Sequence, residues 1–97
     1  MKPVSLNRIV CTVSEQLNIE PSAVRGNHGR HPRIAQYRQI VAVCARRHTL
    51  ASFEDIADAV AGARNKHSTY SLAYRRGVEN PEIVAAADQI AARLASR

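Results

Sequence analysis

The feature that most constrains the fold is a pair of short amphipathic patterns on either side of a glycine, in the stretch SFEDIADAVAGARNKHSTYSLAYRR. In the first half, apolar residues recur at spacings of three and four, the period of one face of an α-helix. Ser52 stands where a helix cap is expected, and Asp55 takes the place of Glu in a capping box. Gly62 is the residue expected just past the end of such a helix. A second helix is predicted to begin near residue 65 and to be ended by Gly77, so a tight turn joins two helices.

Helical patterns also occupy the rest of the chain. Ser5 can cap a first helix, Asn18 can end it, and Asn80 followed by proline is typical of the start of a last one. No stretch alternates between apolar and polar residues in the manner of a half-buried strand. The predicted fold is therefore all-α, a single domain over residues 1–97 with a helix-turn-helix and a C-terminal helix. The further helices are predicted over residues 5–18, 21–26, 33–48 and 81–96.

The charge of the chain is concentrated in its middle. The net charge is +6, yet residues 25–76 hold ten basic residues and three acids, while the remainder holds four basic residues and five acids. All four histidines also lie within 25–76. Such clustering is the electrostatic footprint expected of a protein that binds a polyanion. The alternative is a basic protein that has no charged partner.

The two cysteines, Cys11 and Cys44, are too few for a disulfide framework. Because both lie within apolar helical patterns, we expect two buried, reduced thiols in an intracellular protein. No apolar run is long enough to span a membrane, and the first residues lack the apolar region of a signal peptide. The cysteine and histidine spacings match no common zinc pattern, so no metal or other cofactor is expected.

Four residues at the start of the second helix of the pair carry the functional prediction. A recognition helix enters the major groove with its N-terminal end, where Lys66, His67 and Ser68 can reach base edges. Thr69 can donate to a phosphate. His67 has no nucleophile or orienting carboxylate near it in sequence, so no enzymatic activity is expected. The alternative for Ser68 and Thr69 is that they are simply residues of a helix start.

Several segments together resemble the C-terminal DNA-binding domain (domain IV) of the bacterial replication initiator DnaA, which is similar in turn to the Trp repressor. The resemblance covers about residues 5–78. IVCTVSEQLNIEPSAV resembles the opening of the family, and YRQIVAVCARRHT resembles its long helix, in which an Arg-Gln pair precedes the apolar stripe. SFEDIADAVAG resembles the helix before the turn, and HSTYSLA resembles the His-Thr-Thr-Val signature of the recognition helix.

The resemblance implies roles for individual residues. It implies base contacts in the major groove for Lys66, His67 and Ser68, and a phosphate contact for Thr69. In the family an arginine enters the minor groove, and Gln36 stands at that position here. The resemblance and the basic composition together predict contacts with the DNA backbone or the minor groove from Arg30, Arg33, Arg38, Gln39, Arg46, Phe53, Arg64, Thr69 and Arg75, with Glu54 and Arg76 close by.

Three further departures from the family concern Lys66, the turn and the ATPase. Lys66 replaces an aspartate, so that a hydrogen-bond acceptor becomes a cationic donor, and GARNKH makes the turn about two residues longer. The chain has no Gly-rich loop followed by Lys-Ser or Lys-Thr for binding nucleotide phosphates. We therefore expect a stand-alone DNA-binding protein without the ATPase module of the initiator.

Two functions are consistent with these observations. The first is sequence-specific binding of double-stranded DNA in the control of transcription or replication initiation, by a cytoplasmic, nucleoid-associated protein of a bacterium or a phage. The second is a protein-interaction adaptor that kept the fold without reading sequence. In that case residues 81–96, with the small residues Ala85, Ala86 and Ala87, are the expected surface for a homodimer or another protein. Neither hypothesis includes a membrane or a small-molecule substrate.

Overall fold

A computed structural model describes residues 5–26 and 31–95 of the chain, and this part consists of helices and short connections, with no strand. The all-α prediction is confirmed. A single turn of 3-10 helix, Arg64–Lys66, lies between the fourth and fifth helices. The six α-helices are α1 (Leu6–Leu17), α2 (Pro21–Gly26), α3 (Pro32–His48), α4 (Phe53–Ala61), α5 (His67–Val78) and α6 (Pro81–Ala95).

Helix α3 is the centre of the fold, and α1, α5 and α6 pack around it. It is buried on most of its circumference, because Ala42 and Val43 are inaccessible as well as the predicted apolar face. The Tyr37 hydroxyl lies 2.7 Å from the Ser14 hydroxyl of α1, so a polar group within the core has a partner. The predicted face consists of Ile34, Tyr37, Ile40, Val41, Cys44 and Ala45, all of them buried.

The predicted ends of α1 and α4 are confirmed. Asn18 ends α1 in the left-handed conformation, with φ of 55°, and Gly62 ends α4 in the same way, with φ of 68°. Ser52 and Asp55 form a reciprocal capping box: the Ser52 hydroxyl accepts from the Asp55 amide at 3.1 Å, and the Ser52 amide donates to the Asp55 carboxylate at 3.0 Å. The first helix of the pair therefore has a defined start and a defined end.

The predicted end of α5 is wrong. Gly77 does not end the helix, which continues to Val78. Instead Gly77 is buried where α5 crosses α3, and a Cβ atom added to it would lie 2.6 Å from Cγ2 of Val43 and 3.2 Å from Cγ2 of Ile83. The glycine is present because two helices approach too closely for a side chain. The start also differs, because the 3-10 turn occupies residues 64–66 and α5 begins at His67.

Helix α6 is part of the core. Its predicted stripe of Ile83, Ala87, Ile90 and Leu94 is buried, and the helix packs mainly on α3 and also on α1 and α5. The Asn80 side chain accepts from the Glu82 amide at 3.0 Å, as expected of a helix cap.

The prediction of two buried thiols is wrong for Cys11, which is exposed, and confirmed for Cys44. Cys11 follows Val10 on α1 but lies about 100° further around the helix, outside the stripe that faces the core. Burial, with a smaller effect of the Asp88 carboxylate, raises the pKa of the Cys44 thiol to about 12. Both cysteines are free. None of the described helices is long and apolar enough to cross a membrane.

Candidate nucleic-acid interface

The start of α5, which comprises Lys66 at the cap position and the first turn that follows it, presents a group of polar side chains without partners. Lys66, His67, Ser68 and Thr69 are all exposed. No side chain caps this end of the helix. None of the four side chains has a hydrogen bond or an ion pair with another described residue. An exposed helix start with free donors on consecutive residues is able to contact base edges and phosphate oxygens.

The opposite side of α5 is fixed to the core, which gives this end a defined position. Tyr70, Ala73 and Gly77 are buried at spacings of three and four. Burial raises the pKa of the Tyr70 hydroxyl, and a hydrogen bond and the charge of the Arg38 guanidinium oppose part of that rise. Arg38 is half-buried, and its Nη2 lies 3.5 Å from the Val24 carbonyl oxygen. This arginine, predicted to contact DNA, therefore also connects α2, α3 and α5.

Arg46 and Phe53 lie together at the start of the helix-turn-helix. The Arg46 guanidinium carbon is 4.7 Å from the centre of the Phe53 ring, and its Nη1 donates to the Ala51 carbonyl at 3.0 Å. The Phe53 ring packs in turn on Tyr74 of α5, with ring centres 5.6 Å apart. Stacking on an aromatic face restricts the guanidinium while leaving it exposed, so a cation is held in place beside α5.

Arg64 is directed toward α4. Its Nη1 is 3.1 Å from Oδ1 of Asp55, and its Nη2 is 3.8 Å from Oε2 of Glu54. The Asp55 carboxyl has a lowered pKa, first because the Ser52 backbone amide donates to it, then through the side chains of Ser52 and Arg64. The Asp55 carboxylate thus caps α4 and also forms an ion pair with Arg64 in the 3-10 turn. The sequence analysis recognised Asp55 as a cap and missed this ion pair.

The basic loop, predicted over residues 25–33 as a contact with phosphates or the minor groove, is described except for residues 27–30. Arg30 lies outside the described residues. Arg33 is exposed and donates from Nη2 to the Leu17 carbonyl at the end of α1. Nδ1 of His31 accepts from the Arg33 amide at 3.2 Å, so that His31 caps α3. The sequence signal for this cap is the position of His31 directly before Pro32, because proline favours the first position of a helix.

The remaining predicted contacts lie on α3 and at the end of α5. Gln39 is half-buried on α3 beside Gly77. Arg75 and Arg76 are exposed in the last turn of α5. Within residues 5–26 and 31–95, no group of three or more histidine, cysteine or acidic residues is placed to hold a metal ion.

The family described as "Bacterial dnaA protein helix-turn-helix" has a sequence model that matches residues 6–76. The chain belongs to this DnaA helix-turn-helix family. The match runs from the start of α1 to the last turn of α5, so α6 lies beyond it. Membership of the DnaA family indicates that the chain binds double-stranded DNA. No curated protein and no solved structure matches the chain.

Proposed function

We propose that this DnaA-type domain binds double-stranded DNA sequence-specifically, with α5 in the major groove. The observation that carries the proposal is the start of α5, where Lys66, His67, Ser68 and Thr69 are exposed and their side chains are without partners among the described residues. Polar side chains that are not used by the fold, on a helix that is otherwise fixed to the core, suit a surface that reads a ligand.

The side chains divide between the bases and the backbone. Lys66 is a donor only, and guanine presents two acceptors, O6 and N7, in the major groove, so guanine is the base that suits it best. His67 and Ser68 can donate or accept, and Thr69 is expected to donate to a phosphate. The expected backbone or minor-groove contacts are Arg30, Arg33, Arg38, Gln39, Arg46, Phe53, Arg64 and Arg75.

The proposed role is regulatory. In this proposal the domain acts by occupying its site on the duplex. Occupancy of a site can control transcription, or it can control replication initiation where the site overlaps one used by the initiator.

The test is selection from a randomised duplex pool at about 150 mM salt, where specific contacts must exceed the non-specific background. The expected result is one enriched motif, lost when Lys66, His67 and Ser68 are all replaced with alanine. Similarity of the motif to the DNA site that the initiator binds would favour a role in replication control. Salt-sensitive binding without enrichment would reject sequence-specific reading.

Arg46 is expected to bind phosphate, which predicts an effect on every sequence. Arg46→Ala should weaken specific and random duplexes equally and reduce the slope of log affinity against log salt concentration by about 0.9. Arg46→Lys, which keeps the charge, should retain most of the slope. Arg93→Ala, which removes an arginine that pairs with Glu15 across α6 and α1, is the matched control. An unchanged slope in Arg46→Ala, in a protein that melts normally, would contradict a phosphate contact.

The adaptor hypothesis has no observation of its own in its favour. The apolar stripe of α6 is already buried against the core, and Ala85 is left exposed and Ala86 half-buried. A homodimer or another partner on this helix stays a prediction. Absence of any DNA retention, at any salt concentration, is the result that would favour it.

A further inference from the structure

Leu72 is a large apolar side chain on the face of α5 that turns away from the core. It is 41% exposed, and it is one of three large apolar side chains that are exposed in the described part of the chain. The buried Tyr70, Ala73 and Gly77 define the inward face. At about 100° per residue, Leu72 lies on the opposite side, between Ser68 one turn before it and Arg75 one turn after it.

An exposed leucine alone has no functional meaning, because folded proteins expose many apolar atoms. The position of Leu72 is the informative observation. Its neighbours along the outward face, Ser68 and Arg75, are exposed polar residues with no partner among the described residues. The other large exposed apolar residues in this part of the chain are Leu50, which lies in the connection between α3 and α4, and Val78, the last residue of α5.

We propose that Leu72 is a specificity-determining residue that packs against the 5-methyl group of a thymine in the major groove. The inference rests on the proposed function, since it requires α5 to lie in that groove. Four residues of helix span about 6 Å, and base pairs are about 3.4 Å apart. For a helix axis that follows the groove, this spacing corresponds to about two base pairs between the thymine and the pair that Ser68 faces.

The chemistry of the groove selects thymine for this contact. Thymine is the base that presents a methyl group in the major groove, whereas the other edges present hydrogen-bond donors or acceptors. A leucine cannot satisfy such groups, so packing it on them leaves a polar atom desolvated and unpaired. Contact with a methyl group instead removes apolar surface of both partners from water.

The experiment replaces each thymine of the selected duplex with deoxyuridine, one at a time, which deletes the methyl group and keeps the base pairing. At one thymine, replacement with deoxyuridine should lower the affinity of the wild-type protein about fourfold, which is the effect of losing the burial of one methyl-sized group. Leu72→Ala should bind the thymine and uracil duplexes equally at that position. Leu50→Ala, the same deletion at an exposed leucine outside α5, should keep the fourfold difference.

A second variant separates the contact from folding. Leu72→Gln keeps a long side chain and a good helix former, and it too should lose the discrimination while melting like the wild type. Equal discrimination by the wild-type protein and both Leu72 variants would overturn the inference and leave sequence-specific binding intact. A selected motif without a thymine would overturn it in the same way. A pool without any enriched motif would overturn the proposed function and the inference together.

Discussion

Replacement of His67 with alanine is expected to weaken binding to the selected duplex by about 1–3 kcal/mol, or roughly five- to 150-fold, and to leave random duplex unaffected. His67 is the first residue of α5, exposed and without a partner among the described residues. A side chain that pairs with a base edge discriminates between bases, so its loss should appear only where that base is present. The measurement is a titration of both duplexes at the same salt concentration.

Two variants make this result specific to base reading. Thr69→Ala, at the expected phosphate contact, should weaken both duplexes by the same factor. His48→Ala removes a histidine that lies 3.1 Å from the Asp88 carboxylate at the junction of α3 and α6, and it should leave both affinities unchanged. An equal loss on specific and random DNA for His67→Ala would remove His67 from the base contacts.

The helices, and the ends of α1 and α4, could be predicted because their causes are local. The period of apolar residues identifies the face of each helix that is buried, and the capping chemistry of Ser52, Asp55 and Gly62 acts within a few residues. Cys11 was wrongly predicted because membership of an apolar stretch was equated with the buried face. The rotation of about 100° between Val10 and Cys11 is sufficient to expose the Cys11 side chain.

The sequence predicts which residues make up the candidate site. It does not predict the contacts that join those residues in three dimensions. Position along the helix-turn-helix identified the group at the start of α5, and the structure shows those side chains exposed there. The stacking of Arg46 on Phe53, the contact of Arg38 with Tyr70 and the ion pair of Arg64 with Asp55 join residues on different elements. Such pairs depend on how the helices pack, and the local patterns of a single sequence do not reveal that packing.

Gly77 is the position where helix packing and the recognition helix are most directly linked. A helical glycine replaced with alanine ordinarily gains about 1 kcal/mol of stability. Here the new Cβ would lie 2.6 Å from Cγ2 of Val43, a stiff, fully buried side chain, and overpacking of a core costs about 1–3 kcal/mol. The cost offsets or exceeds the gain, so we expect Gly77→Ala to lower the free energy of unfolding by up to about 2 kcal/mol in chemical denaturation.

A double-mutant cycle identifies the cause of that loss. Val43→Ala removes the nearest of the atoms that the new Cβ would meet, so adding Gly77→Ala to it should cost about 1 kcal/mol less than in the wild-type protein. Gly62→Ala is the control: its Cβ would meet nothing within 4 Å, but φ is 68°, which costs alanine about 1–2 kcal/mol whatever residue 43 is. A rise in stability for Gly77→Ala alone would contradict the close crossing of α3 and α5. The predicted loss would instead mean that the packing of α5 on α3 requires a residue without a side chain at position 77. The position of the first turn of α5 would then depend on that packing.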